Sequence, residues 1–136
     1  MTCAGELGDP RGMTAAFPAL FARFRAMFAP HAPSAVVLRD EPGRYYLGTH
    51  EVREKDGYRT GFGGTEIGKR YVSVHLIPVY VHPEMLATIS PALRRRMQGK
   101  SCFNFRTEDE ALFAELQALI DLGAAQFASD GRLKPE

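Results

Sequence analysis

The side chains in this sequence with the most chemical potential are four histidines, two cysteines, a run of arginines and a run of acids. His31, His50, His75 and His82 lack metal-ligand spacing: no H-x-E or H-E-x-x-H occurs and no cysteine pair accompanies them. Cys102 and His75 would make a thiolate–imidazole pair if neighbouring strands brought them together. Otherwise a lone cysteine in Ser-Cys-Phe-Asn-Phe reads as a small core hydrophobe. Gly99-Lys-Ser101 resembles the tail of a phosphate-binding loop. The first glycine of that motif would fall on Arg94, however, and the segment closes a helix instead of opening one.

Arg94, Arg95, Arg96, Lys100 and Arg106, beside Phe103 and Phe105, form a basic cluster of the kind that holds phosphate or nucleic acid. Phe103 and Phe105 share one strand face and suit a core better than a stacking platform. Three successive arginines on a short helix fan out into solvent. Glu108, Asp109, Glu110 and Glu115 give the last helix an acidic start that can bind a hard cation weakly. Complementing the helix dipole accounts for the first three without a metal.

These residues are positioned by elements legible in the pattern. Phe17, Leu20, Phe21, Phe24, Met27 and Phe28 recur at helical spacing, with Thr14 as N-cap and Pro30 as terminator. From Pro33 to Val81 the pattern alternates between turn signals. Strands are expected over 35–38, 44–52, a bulged glycine-rich stretch 58–67, and 71–81. In the last of these Val72, Val74 and Leu76 face one way, and Tyr71, Ser73 and His75 the other. Ser90-Pro opens a short helix that runs through Met97 to Gly99, Cys102–Phe105 is a strand, and Thr107-Glu-Asp-Glu110 is a capping box for a last helix. That helix buries Leu112, Phe113, Leu116, Leu119, Ile120 and Phe127. The expected fold is α+β: a two-layer sandwich in which an antiparallel sheet of about five strands is flanked by N- and C-terminal helices. Residues 1–13 read as a flexible leader and 14–136 as a single domain.

With 136 residues and 45% hydrophobic content the chain can build a core. Seventeen Lys and Arg against sixteen Asp and Glu leave a formal charge of +1, which argues against a dedicated nucleic-acid coat. Two cysteines are too few for a disulfide scaffold. No uninterrupted apolar run approaches bilayer length, and the first ten residues lack the pattern of a signal peptide. A cytoplasmic location is expected, with no membrane partner.

The second half carries a more specific pattern: Tyr71-Val-Ser-Val-His-Leu-Ile-Pro-Val-Tyr80, His82-Pro-Glu-Met-Leu86 and Met97-Gln-Gly-Lys-Ser-Cys-Phe-Asn-Phe105. This resembles the DUF1801 (YdhG-like) family of small bacterial proteins, over about residues 14 to 128. The resemblance implies a frataxin-like fold, and for one branch an iron chaperone that delivers iron for cluster or haem assembly. Frataxins place their iron-binding acids on the first helix and the adjoining edge strand. Here that helix exposes Arg23 and Arg25, so the iron alternative falls to Glu108, Asp109, Glu110 and Glu115.

The leading expectation is a non-enzymatic domain, monomer or homodimer, that binds a small ligand or a partner protein on the polar sheet face. His75 and His50 would hydrogen-bond or ligate, Lys100 would contact an anion, and Tyr71 and Asn104 would orient. A small enzyme using Cys102 and His75 is the third alternative.

Overall fold

The computed structural model describes residues 16–134; the expected leader and the Thr14 cap lie outside them. The first helix, α1 (Ala16–Phe28), buries Phe17, Leu20, Phe24, Met27 and Phe28, with Phe21 half-buried. Pro30 stands at the start of a 3-10 turn, Ala29–Ser34, that carries the chain into the sheet. Six strands follow: β1 (Val36–Glu41), β2 (Arg44–Val52), β3 (Arg59–Ile67), β4 (Val72–Leu76), β5 (Met97–Gln98) and β6 (Cys102–Phe105). They form one antiparallel sheet in the order β1-β2-β3-β4-β6-β5. The α+β sandwich expected from the sequence is present.

β1 runs on to Glu41, three residues past the expected Leu38, and three further boundaries differ from expectation, each for a backbone reason. β4 stops at Leu76 because Pro78 has no N–H for a ladder; it opens a one-turn helix instead, α2 (Pro78–Val81). A 3-10 turn over Pro83–Thr88 leads to α3 (Pro91–Arg94), for which Ser90 is the N-cap, its hydroxyl accepting from Leu93 N. α3 ends at Arg94, so Met97 and Gln98 leave the helix and pair with Phe103 and Cys102 as a sixth strand. Gly99, at φ +75°, makes the tight return to β6. The last helix, α4 (Glu110–Ser129), is capped by Asp109, whose Oδ1 accepts from Leu112 N at 3.1 Å. The Thr107 box does not form, because the helix begins three residues after Thr107 and Asp109 occupies the cap.

Side chains alternate across the sheet, and the helices cover one face only. That face carries Leu47, Val72, Val74, Leu76, Phe103 and Phe105, all buried against α1 and α4. Two ring clusters fill it. Phe24, Phe105 and Phe113 sit with centroids 5.0 to 5.4 Å apart, and Phe62 lies 6.0 Å from Phe28 and 6.2 Å from Phe127. Among the described helices α4 alone is long and apolar enough to cross a membrane; its apolar residues Leu112, Phe113, Leu116, Leu119, Ile120 and Phe127 are the ones spent on this core.

Candidate functional site on the outer sheet face

The face away from the helices is built differently. Register places Arg44, Glu66, Ser73 and Asn104 in one row, and Tyr46, Gly64, His75 and Cys102 in the next. Of these Glu66 is 1% exposed, Ser73 2%, His75 6% and Cys102 6%. Burial of so many polar groups on a non-core face is uncommon and calls for partners.

One end of this face is self-contained. Ser73 Oγ donates to Asn104 Oδ1 at 2.8 Å, while Asn104 Nδ2 and Tyr71 OH both donate to Gln98 Oε1, at 2.6 and 2.9 Å. The other end opens into a cavity of about 350 Å³ lined by Arg44, Tyr46, Glu66 and His75, with Leu38, Arg39, Tyr58, Arg59 and Ile77 around them. Gly64 permits the arrangement: a Cβ there would collide with Tyr45 O and the Tyr46 ring, so glycine lets that ring lie across β3. Tyr46 OH thereby reaches Glu66 Oε1 and donates to it at 2.7 Å. Burial, and then the Glu66 carboxylate beside it, hold the Tyr46 phenol far above its ordinary range, so it stays a donor.

Glu66 has one oxygen satisfied and the other not. Its Oε2 is closed to solvent and takes no hydrogen bond, and the same holds for the Arg44 Nε. The two side chains are neighbours, with Arg44 Nε 3.9 Å from Glu66 Oε1, too long for a hydrogen bond. Arg44 also approaches Glu41 at 4.0 Å, and Arg39 approaches it at 3.6 Å. His75 is kept neutral by burial, which pushes its pKa down to about 4. Its Nδ1 lies 3.2 Å from Cys102 Sγ. That sulfur is held in a disulfide, so it is not a free thiol.

The expected site residues are therefore only partly gathered. His75 lines the cavity. Tyr71 and Asn104 share its sheet face but spend their side-chain polar atoms on Gln98 and Ser73. His50 is half-buried near the end of β2, its backbone N donating to Arg132 O at 2.8 Å, and it does not line the cavity. Lys100 borders a separate depression of about 740 Å³ with Arg94, Met97, Tyr80 and Leu86.

The acids do not converge. Glu108 and Glu110 pair with Arg23 at 3.3 and 2.7 Å, and Asp109 caps α4. Glu115 accepts from both Ser90 N and Ser90 Oγ at 2.8 Å. Among the described residues no three His, Cys, Asp or Glu side chains gather as a metal-binding group. Phe103 and Phe105 are in the core, at 0% and 1% exposure, and so are not available to stack on bases.

Glu66 and Arg44 carry the site, and the sequence pattern did not single them out. The signal that existed was parity: Glu66 falls on the same alternation as Gly64 and so pairs across from Ser73 and Arg44. The bulge at Phe62 and Gly63, where β2–β3 register shifts, breaks that alternation when it is counted from Tyr58. No protein-family model, curated protein or solved structure matches this chain.

Proposed function

We propose that this domain is a non-enzymatic binding protein for a small ligand, taken into the cavity between β1, β2, β3 and β4. The observation that carries the reading is Glu66: a carboxylate at 1% exposure with one oxygen unpartnered, beside an equally unpartnered Arg44 Nε. A buried carboxylate with an unsatisfied oxygen costs stability, and each such group in a native fold calls for an explanation in binding, catalysis or strain. The surrounding Arg39, Arg59, Tyr58 and Ile77 supply the mixed apolar and polar lining of a small-molecule pocket. Native mass spectrometry of the purified chain tests this. A bound small-molecule mass that is lost on Glu66→Gln substitution supports it; a bare protein mass, with no small molecule released on denaturation, counts against it.

A second reading, a small enzyme using Cys102 and His75, is favoured by their 3.2 Å contact. It requires prior reduction, because a disulfide sulfur is not a nucleophile. A histidine whose pKa is about 4 is also a weak base at neutral pH. Iodoacetamide treatment after mild reduction separates the two: rapid alkylation of Cys102 at neutral pH favours the enzyme, and inertness removes it.

A further inference from the structure

The depression beside Lys100 lies apart from the outer-face cavity and shares no lining residue with it. Its apolar part comes mainly from the chain between β4 and α3. Val79 on α2 is 1% exposed, and Leu86 on the 3-10 turn that follows is half-buried. Met97, half-buried on β5, adds to it. Tyr80 borders the same space at 58% exposure, so a broad ring stands open to solvent beside the apolar lining. At about 740 Å³ the space has the size of a small-molecule site and far exceeds what an inorganic anion fills.

The charges around it are of one sign. Arg94 ends α3, and Lys100 follows Gly99, whose φ of +75° turns the chain from β5 to β6. Both cations are exposed, and no acidic side chain lines the depression. Elsewhere arginines are matched: Arg23 with Glu110, Arg25 with Asp40, Arg53 with Asp56 and Arg132 with Asp130. Among the described residues neither Arg94 nor Lys100 has a carboxylate within ion-pair distance. The chain has 17 cations and 16 acids, so leaving two cations unmatched at one apolar depression separates charge locally and favours an anionic ligand there.

We propose that this depression binds a single-chain anionic amphiphile, its acidic head held by Arg94 and Lys100 and its aliphatic tail laid over Val79, Leu86 and Met97 beside the Tyr80 ring. The guanidinium offers the head paired N–H donors, and the ammonium adds a mobile point charge. Exposed ion pairs contribute little by themselves, so the tail must supply much of the affinity by removing apolar surface from water. The site is independent of the outer-face cavity and of the ligand proposed for it.

Titration calorimetry with octanoate, octyl phosphate, octanol and acetate tests it. Octanoate or octyl phosphate should bind at least tenfold tighter than octanol (tail only) and acetate (head only), and the stronger of the two octyl acids identifies the head group. Arg94→Gln combined with Lys100→Gln should weaken that probe tenfold or more, and Tyr80→Ala several-fold. Arg95→Gln neutralises an exposed arginine outside the depression and should leave binding unchanged. All four side chains are exposed, so these changes leave the core untouched. Acetate or octanol binding as tightly as the octyl acids overturns the proposal, as does failure of both octyl acids to bind. Binding that survives the double substitution places the amphiphile elsewhere, and an equal loss with Arg95→Gln makes the surface a diffuse basic patch; either result also overturns it. So does tighter binding of an apolar peptide with a free C-terminal carboxylate, which would make a protein tail the occupant.

Discussion

On the side of the sheet that meets α1 and α4, each strand contributes rings and branched chains: Leu47 from β2, Val72, Val74 and Leu76 from β4, Phe103 and Phe105 from β6. On the other side β2, β3, β4 and β6 contribute Tyr46, Glu66, Ser73, His75 and Asn104, some of them as deeply covered as the phenylalanines. Burial is similar and chemistry is opposite. The first side gains free energy from every area it removes from water. The second must satisfy each polar group it covers, and at Glu66 and Arg44 it does not. On the reading proposed above, ligand binding and not stability is what keeps that pair.

The largest effect separating the two sides should come from the core. Phe105→Ala removes a ring packed 5.2 Å from Phe24 and 5.4 Å from Phe113 and should cost about 3–5 kcal/mol in chemical denaturation. Loss of less than about 1 kcal/mol would mean the apolar side is not the source of stability.

The outer face should reveal itself through pH. His75 is neutral when folded, with its pKa lowered by burial to about 4, while the unfolded chain takes up that proton near the ordinary value of 6.5. The unfolded state therefore binds the proton first, so stability is complete above about pH 6.5 and falls as pH drops toward 4. The full cost is of the order of 3 kcal/mol. His75→Gln should flatten the denaturation midpoint across that window; an equally steep variant would place the pH dependence elsewhere.

A smaller change sharpens the comparison at the helix that roofs the core. Asp109→Ala should destabilise by about 1 kcal/mol through loss of the α4 cap. Arg23→Ala, which removes exposed pairs to Glu108 and Glu110, should leave the denaturation midpoint nearly unchanged. If Arg23 mattered more than Asp109, the acidic start of α4 would be a cluster held by its counter-ion and not a helix cap.

The inner side was largely legible from the sequence and the outer side was not. The α1 stripe, the bounds of β2 at Arg44 and Val52, and the alternation of Val72, Val74 and Leu76 all follow from periodicity, because burial against one surface imposes it. Local backbone chemistry overrode the pattern at Pro78, which ended β4 early, and at Met97–Gln98, where pairing with β6 displaced the expected helix. The outer site was hidden for a geometric reason. Glu66 meets Tyr46 only because Gly64 has no side chain, and its parity is masked by the extra residue of the β3 bulge. His75 was identified as a candidate, but its contacts with the cavity and with Cys102 Sγ are tertiary, between strands 27 residues apart.

The measurement that tests the central claim most directly is denaturant unfolding of the wild type and Glu66→Gln side by side, without ligand. If the outer-face carboxylate is retained for binding at the expense of stability, the variant should be as stable as the wild type or more so. Gln keeps an oxygen to accept from Tyr46, removes a buried charge, and leaves Arg44 with Glu41 and partial exposure to solvent. A loss of several kcal/mol, comparable to that of Phe105→Ala, would contradict the account and make Glu66 a structural partner of Arg44 and Tyr46.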